Sequence, residues 1–286
     1  MVGRALIEVL VAEGRRVLAL ARAPRSIEAV RAAGAEPILA DLAGAQSWAR
    51  ELSGVECVYH LAQPRLSPPV RRLGLRVRAR DARVGTESLL AAVPSSASLV
   101  VASSALVYGD RPEAPAAEDA PLAPLGPGVV AAAVESAVAG RDARAVRLPW
   151  IYGNEGLARD LIVGLRTRRY RVVGAGENRW ALLGARDAAG ALRAAAEAPP
   201  GPYNALEAAP TQLEVIDELC VAPDLRRPDR APASLAGIPF GGALSRALAA
   251  SVWVVDDPLR SLGWSPRQTW RAELRALTEA ELPRAS

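Results

Sequence analysis

Hydrophobic and polar positions follow two alternating periods along the first hundred residues. Residues 3–13 carry apolar side chains at helical spacing and end at Gly14, and the same spacing recurs over 26–33, 44–53 and 79–93. Between them lie short apolar runs typical of buried strands: RRVLALAR, EPILADL, VECVYHLA and SLVVASS. This alternation of strands and helices predicts an α/β fold with a parallel, doubly wound sheet.

The second half of the chain continues the alternation less regularly. Strands are predicted in ARAVRLPWIYG and PYNALE, and helices in residues 129–139, 156–168 and 185–198, in TQLEVIDELC and in 265–282. Irregular structure is expected in the proline- and arginine-rich loop at 64–72 and over 222–243. Since no long linker divides the chain, we expect a sheet domain from residues 1–154 and 181–208. A smaller C-terminal cap is expected from 155–180 and 209–286.

Composition argues against several classes of function. The 286 residues carry a formal charge of +4, but the basic residues are scattered and no aromatic side chains are interleaved, so we expect no nucleic-acid partner. No apolar run approaches the ~20 residues of a membrane helix, and the N-terminus has no signal-peptide pattern. Cys57, Cys220 and His60 cannot form a disulfide framework or a metal site, so we expect a reduced, cytoplasmic setting.

Eight motifs occur in one order along the chain. They are ADL at 40–42, VYHLAQ at 58–63, VGTESLLAA at 84–92, SSALVYGD at 103–110, RLPWIYG at 147–153, GENRWALLGARDAA at 176–189, PYN at 202–204 and LGWSP at 262–266. Together they resemble the extended short-chain dehydrogenases/reductases, the group of NAD-dependent nucleotide-sugar epimerases and dehydratases. The resemblance implies a Rossmann-like domain, NAD(P) as the cofactor, a small-molecule substrate, and an assembly compatible with a homodimer.

The resemblance also implies roles for single residues. In the cofactor site it places Gly3, Arg22, Asp41, Leu42, Leu61, Ala62 and Pro149. Around the substrate it places Tyr108, Trp150 and Arg179, the last suited to an anionic substrate. Simpler interpretations stay open, with Arg22 a solvated strand-end residue, Asp41 a turn or helix cap, and Tyr108 and Trp150 structural residues. His60 is expected to be a buried core histidine rather than an acid or base.

The chain departs from the family where hydride chemistry takes place. The family uses a Tyr-x-x-x-Lys pair with a serine or threonine, in which the tyrosine transfers a proton and the lysine lowers its pKa. Ser104 matches the serine, but Gly128 and Ala132 stand at the tyrosine and lysine positions. No tyrosine or lysine occurs in residues 111–149, and all 35 basic residues of the chain are arginine. Because arginine is a poor proton shuttle, we predict no standard hydride transfer.

The chain departs from the family a second time at its start. The resemblance implies a first strand and a glycine-rich turn, of which only the last glycine is matched, by Gly3. The strand RRVLALA is therefore predicted either to pair directly with VECVYHLA or to border an open slot, and the true start of translation could lie upstream. A smaller departure is Gly184-Ala185, which stands where the family has His-Val before the retained Asp187.

Three functions follow as hypotheses from these features. The protein could keep its pocket for a non-redox cyclisation, isomerisation or dehydration, with Ser104, a tyrosine or His60 as acid or base. It could instead be an NAD(P)-dependent oxidoreductase or epimerase whose start lies upstream. The third hypothesis is a catalytically inactive relative that binds a metabolite or a partner. The absent pair argues against the second hypothesis.

Overall fold

The computed structural model describes residues 1–63, 71–222, 224–232 and 241–280. The strands in these residues are β1 (Leu18–Ala21), β2 (Glu36–Leu39), β3 (Cys57–His60), β4 (Ser98–Ser104), β5 (Ala143–Leu148), β6 (Trp150–Tyr152), β7 (Val172–Val173), β8 (Leu182–Gly184), β9 (Gly201–Asn204) and β10 (Arg230–Ala231). The helices are α1 (Val2–Ala12), α2 (Pro24–Ala32), α3 (Ala45–Trp48), α4 (Arg72–Ala92), α5 (Gly128–Val138), α6 (Leu157–Arg166), α7 (Ala185–Ala195), α8 (Gln212–Leu219), α9 (Gly242–Ala249), α10 (Asp257–Ser261) and α11 (Trp270–Ala280). Short 3-10 helices lie at Leu42–Gly44, Ala49–Leu52 and Ala105–Tyr108.

The four-stranded sheet is parallel and covered on both faces. Its strand order is β3-β4-β5-β9, so each strand after β3 reaches its neighbour through a crossover connection. On one face, α1 and α7 pack against Val100 and Val146. On the other, α4 and α5 pack against Leu99 and Val101. Burial on both faces explains the continuous apolar strands, and the predicted α/β doubly wound fold is confirmed.

β1 and β2 form a separate parallel pair beside this sheet. A cavity of about 1150 Å³ lies between β1 and β3, lined by both strands and by the inner face of α1. Of the two arrangements predicted for the RRVLALA strand, the open slot is therefore the one observed.

The later segments build a second apolar cluster. α6, α8 and α11 pack around the fully buried Trp180, and β6 pairs with β8 while β7 pairs with β10. The residue boundaries given above for the sheet domain and the cap stay a prediction. Among the described residues, no helix is both long and apolar enough to cross a membrane.

Element boundaries differ from the predictions at several places, and α11 begins at Trp270 rather than at residue 265. The helix predicted over 44–53 is divided into α3 and a 3-10 turn, because Asp41 and Ser47 hydrogen-bond local backbone groups in competition with a regular helix. α4 begins at Arg72, well before residue 79, and α7 ends at Ala195. Parts of three predicted segments, residues 64–70, 223 with 233–240, and 281–282, lie outside the described residues.

Candidate ligand site at the carboxyl ends of the strands

The end of β4 places two consecutive serines in different environments. Ser103 is buried and donates a hydrogen bond to Glu135 of α5. Ser104 is half-buried, and its Oγ accepts a hydrogen bond of 3.2 Å from the Leu106 N–H, which caps the 3-10 helix. No acceptor for the Ser104 hydroxyl proton is found among the described residues. Ser104 can therefore still donate a hydrogen bond to a ligand at this edge of the sheet, where open parallel sheets bind ligands.

Tyr108, at the end of the 3-10 helix that follows β4, is buried inside the protein. It is 1% exposed, donates a hydrogen bond of 2.8 Å to Asn204 Oδ1 and accepts one of 2.6 Å from Arg147 Nη1. The Arg147 guanidinium also lies 4.9 Å from the centre of the Tyr108 ring. Burial raises the pKa of Tyr108, so it stays protonated. Its hydroxyl is used twice inside the protein, which favours the structural alternative for Tyr108, and its substrate role stays a prediction.

A buried ion pair links α5 to β5 beneath the two serines. Nε and Nη2 of Arg147 donate to the two carboxylate oxygens of Glu135, at 3.0 Å and 2.8 Å, and neither residue is exposed. Glu135 in turn accepts the Ser103 hydroxyl. None of the eight motifs points to this network. Two charged residues in apolar segments could have indicated the network: Arg147 lies inside an apolar strand, and Glu135 lies inside an alanine- and valine-rich helix. Because buried charges are almost always paired, two such residues are expected to contact each other.

The start of α5 leaves no room for a tyrosine at position 128. A Cβ on Gly128 would lie 2.4 Å from the Leu106 carbonyl oxygen, far inside van der Waals contact with rigid backbone. The Leu125 N–H also donates to that oxygen at 3.0 Å, which fixes the preceding loop against the 3-10 helix. Ala132, at the lysine position, is half-buried on the same helix. A side chain at position 128 would therefore require the backbone around Leu106 to shift.

The residues predicted to hold a cofactor lie in three places. Gly3, Leu42, Leu61 and Ala62 together line the cavity between β1 and β3. Arg22 and Asp41 follow β1 and β2 and form an exposed pair 3.9 Å apart, in which Asp41 also caps its own turn through the Ala43 N–H. Pro149 is buried between β5 and β6 and does not line the cavity.

Trp150 is the first residue of β6, and Arg179 lies shortly before β8. Trp150 packs in the second apolar cluster with its ring centre 6.4 Å from that of Trp180, which favours the core-packing interpretation. Its Nε1 is buried without a hydrogen-bond partner among the described residues. Arg179 is exposed, stacks over Trp253 at 4.9 Å and donates to the Ala209 carbonyl. Arg179 can therefore be reached by an anionic ligand.

The remaining candidate acids and bases are engaged by protein groups. His60 is 4% exposed and lies 2.9 Å from Thr86 Oγ1 through its Nε2, and burial lowers its pKa to about 4. Because the Thr86 hydroxyl already donates to the Ala82 carbonyl, its oxygen accepts the His60 Nε2 proton and the ring is neutral. Tyr152 donates to Glu207, whose pKa is raised by burial. Among the described residues, no group of histidine, cysteine, aspartate or glutamate could hold a metal ion.

Comparison with known proteins gives one family. A family model for the NAD dependent epimerase/dehydratase family matches residues 1–205. Human epimerase family protein SDR39U1 (isoform 2), solved with NADPH, is similar in structure, with 20% identity, a TM-score of 0.79, and 98% of this chain and 96% of that chain covered. TunA, an NAD-dependent NDP-hexosamine 5,6-dehydratase of tunicamycin biosynthesis, has 24% identity, a TM-score of 0.77 and coverages of 98% and 93%. MoeE5, solved with UDP-glucose and NAD, has 24% identity, a TM-score of 0.74 and coverages of 97% and 94%.

No curated protein sequence was found to match the chain. At these identities the solved structures establish the fold alone, whereas the family model spans more than half of the residues. This chain belongs to the NAD-dependent epimerase/dehydratase family.

Proposed function

We propose that this family member has lost tyrosine- and lysine-assisted hydride transfer and binds a small anionic molecule for a non-redox proton transfer. The observation that carries the proposal is the packing of Gly128 against the Leu106 carbonyl, with Ala132 one helical turn later. A positioned acid or base contributes about 10²–10⁴ to a rate, so a site without the pair is left with little redox turnover.

The residues present suit the adenosine half of a dinucleotide better than the nicotinamide half. NAD(P), when bound, supplies hydride exchange in relatives solved with NADPH or with NAD. Leu42, Leu61 and Ala62, with the Arg22–Asp41 pair at their rim, would hold the adenosine half. At the nicotinamide half, residues 111–149 contain no tyrosine to relay a proton and no lysine to hold the ribose. A dinucleotide would thus bind through its adenosine half and would not be turned over.

Ser104 and Arg179 are the groups that we assign to the ligand. The Ser104 hydroxyl can donate a hydrogen bond to a carbonyl or hydroxyl oxygen of the ligand, since its own oxygen is already held by the Leu106 N–H. Arg179 offers a fixed positive charge, stacked on Trp253, to a phosphate or carboxylate. In this proposal Ser104 contacts the ligand from the end of β4, and Arg179 contacts it from the segment before β8.

A second candidate function is binding without catalysis. Tyr108, Tyr152 and His60 are all buried and hydrogen-bonded to protein groups. In this second candidate the Ser104 hydroxyl only orients the ligand and transfers no proton. A protein of this kind would hold its ligand for recognition only. The difference from the first candidate is whether a carbon-bound proton of the ligand exchanges with solvent.

The test uses UDP-glucose, the ligand of MoeE5, as the first probe, with other nucleotide sugars beside it. Calorimetry measures binding, and nuclear magnetic resonance in D₂O measures deuterium incorporation at sugar carbons. Ser104→Ala should weaken binding about threefold to tenfold. The control is Ser96→Ala, which should leave binding unchanged because Ser96 is exposed near the start of β4. Deuterium incorporation without NADH formation supports proton transfer, binding without incorporation supports recognition alone, and NADH formation would contradict both.

A further inference from the structure

The outer face of α4 carries a row of exposed apolar side chains. Leu73, Val77 and Val84 are 73%, 51% and 48% exposed, although all three are large and apolar. They occupy positions i, i+4 and i+11 of the helix, and Arg80 lies between them at i+7. This spacing is that of the narrow seam of a coiled-coil helix, which pairs with one other helix. We call these four residues the outer seam of α4.

The opposite face of α4 is already packed against the protein. Leu75, Ala82 and Leu89 recur at every seventh residue and are all buried. Leu75 and Ala82 pack against β4 in the apolar cluster on that face of the sheet. Because consecutive helical residues are about 100° apart, Leu73 and Val77, each two positions from Leu75, lie on the other side of the helix. The sheet thus holds α4 with its outer seam preformed, so a partner helix would bind it at little entropic cost.

Positively charged side chains flank the outer seam. Arg76 and Arg83 each directly precede a valine of the seam, and Arg80 lies within it. All three are exposed, and α4 as a whole carries five arginines and two acidic residues. Among the described residues, Arg76 and Arg80 have no ion-pair partner. Arg83 lies 3.9 Å from Glu87, and both side chains are exposed. Charges beside a coiled-coil seam select the partner, so this face is complementary to acidic flanks.

Charge argues against a second copy of this chain on the outer seam. A two-fold pairing makes every contact twice. The antiparallel register in which Val77 of each copy meets Val84 of the other has its centre at Arg80. This register therefore places Arg80 against Arg80 and Arg76 against Arg83 at the middle of the contact. Like charges in contact across an interface destabilise it, so the complement of this face is a different molecule.

The outer seam is also too narrow for a membrane surface. Helices that lie in a membrane interface bury a broad apolar face, with tryptophan or phenylalanine among its side chains. The sequence of α4 has no aromatic residue, and its broad apolar face already packs on the sheet. Three aliphatic side chains in one row remain on the outside, and a single helix can cover them.

We propose that the outer seam of α4 binds one amphipathic helix of a partner protein, with an apolar seam that glutamate or aspartate flanks. The apolar side chains of that helix cover Leu73, Val77 and Val84. Its carboxylates pair with the flanking arginines and with Arg80, because a charge that is covered without a partner is costly. A purely apolar helix is therefore excluded. The proposal rests on the surface of α4 and is independent of the proposed function.

The first experiment tests the apolar seam with a synthetic helix. The probe is a fluorescent peptide of about three heptads, with leucine at its seam positions and glutamate at its flanking positions. A matched peptide has lysine in place of every glutamate. Fluorescence anisotropy measures binding of each peptide to the full chain, and the glutamate peptide should bind at least about tenfold more tightly.

Replacing the seam side chains should remove this binding. Leu73→Ser/Val84→Ser should weaken binding of the glutamate peptide about tenfold or more, because two apolar side chains are no longer covered. Val163→Ser, which removes an apolar side chain that is 46% exposed on α6, should leave binding unchanged. Thermal unfolding checks that each variant is folded.

A second pair of variants tests the charges without changing the seam. Arg76→Gln/Arg83→Gln should weaken binding of the glutamate peptide about threefold to tenfold at about 0.05 M salt. The difference from the wild type should shrink at about 0.5 M salt, where exposed charges are screened. Arg25→Gln, an exposed arginine of α2, is the matched control and should bind as the wild type does.

Three outcomes would overturn the proposal. The first is equal binding of the two peptides, or binding of the glutamate peptide that neither double variant weakens. The second is a dimer in sedimentation that Leu73→Ser/Val84→Ser dissociates, which would make a second copy the occupant of the outer seam. The third is binding to phosphatidylserine vesicles that the same variant abolishes, which would make a membrane surface the occupant.

Discussion

Replacing Tyr108 by phenylalanine tests whether its hydroxyl serves the protein interior or a ligand. The hydroxyl makes two hydrogen bonds, one to the neutral Asn204 amide and one from the charged Arg147, and the side chain is 1% exposed. A neutral hydrogen bond contributes about 0.5–1.5 kcal/mol and a bond to a charged group about 1.5–3 kcal/mol. Since Arg147 keeps Glu135 as a partner, we expect Tyr108→Phe to lower the free energy of unfolding by about 2–4 kcal/mol.

Urea denaturation measures this loss as a fall in the midpoint with an unchanged slope. Tyr203→Phe is the matched comparison, because its hydroxyl donates a single hydrogen bond of 2.6 Å to the Pro199 carbonyl, and it should cost only about 1 kcal/mol. A Tyr108→Phe variant that is as stable as the wild type but binds nucleotide sugars more weakly would refute the structural role and restore the residue to the ligand site.

Three further predictions concern single residues. Because the folded-state pKa of His60 is about 4 and its ordinary value is 6.5, its neutral ring stabilises the fold above pH 6.5 and this contribution is lost as the pH falls towards 4. The unfolding free energy of the wild type should therefore drop by about 3 kcal/mol relative to His60→Gln across that window in acid titrations. Asp187 accepts hydrogen bonds from the Arg267 and Gln268 N–H groups, so Asp187→Ala should cost about 2–3 kcal/mol in urea, and a cost below 0.5 kcal/mol would contradict this anchoring. Gly128→Ala should destabilise by about 1–3 kcal/mol through overpacking, whereas Gly242→Ala, also at the start of a helix but with open space at its Cβ, should be neutral or stabilising in the same assay.

Much of the fold could be predicted because its signals are local. Gly14 and Gly34 adopt positive φ angles of 74° and 88° one residue beyond the C-caps of α1 and α2, as expected of glycines that stop helices. The continuous apolar runs of β4 and β5 marked strands buried on both faces. The open slot was predictable as one of two arrangements because no segment of residues 1–286 has the pattern of a further central strand. The division of the 44–53 helix was not predictable, since it depends on how Asp41 and Ser47 compete for backbone groups.

The candidate site was predictable only in part because its contacts join distant segments. Ser104 could be placed at the end of β4, since a strand end is a local feature. The burial of Tyr108 could not be predicted, because its partners Arg147 and Asn204 are 39 and 96 residues away in sequence. In the same way, the sequence around Gly128 does not indicate that this residue packs against Leu106, which lies 22 positions earlier. Side-chain type indicated a missing catalytic pair, whereas the lack of space for a tyrosine at position 128 became visible only in three dimensions.

The central claim, that this family member does not transfer hydride, is tested most directly in a single-turnover experiment. The chain is mixed at stoichiometric concentration with NAD and a panel of nucleotide sugars, and formation of NADH is followed by its absorbance. A family member that carries the Tyr-x-x-x-Lys pair is the positive control. The account predicts no NADH signal from this chain under conditions in which the control responds, since losing a positioned acid/base pair costs about 10²–10⁴ or more in rate. NADH formation by the wild type that Ser104→Ala abolishes would contradict it.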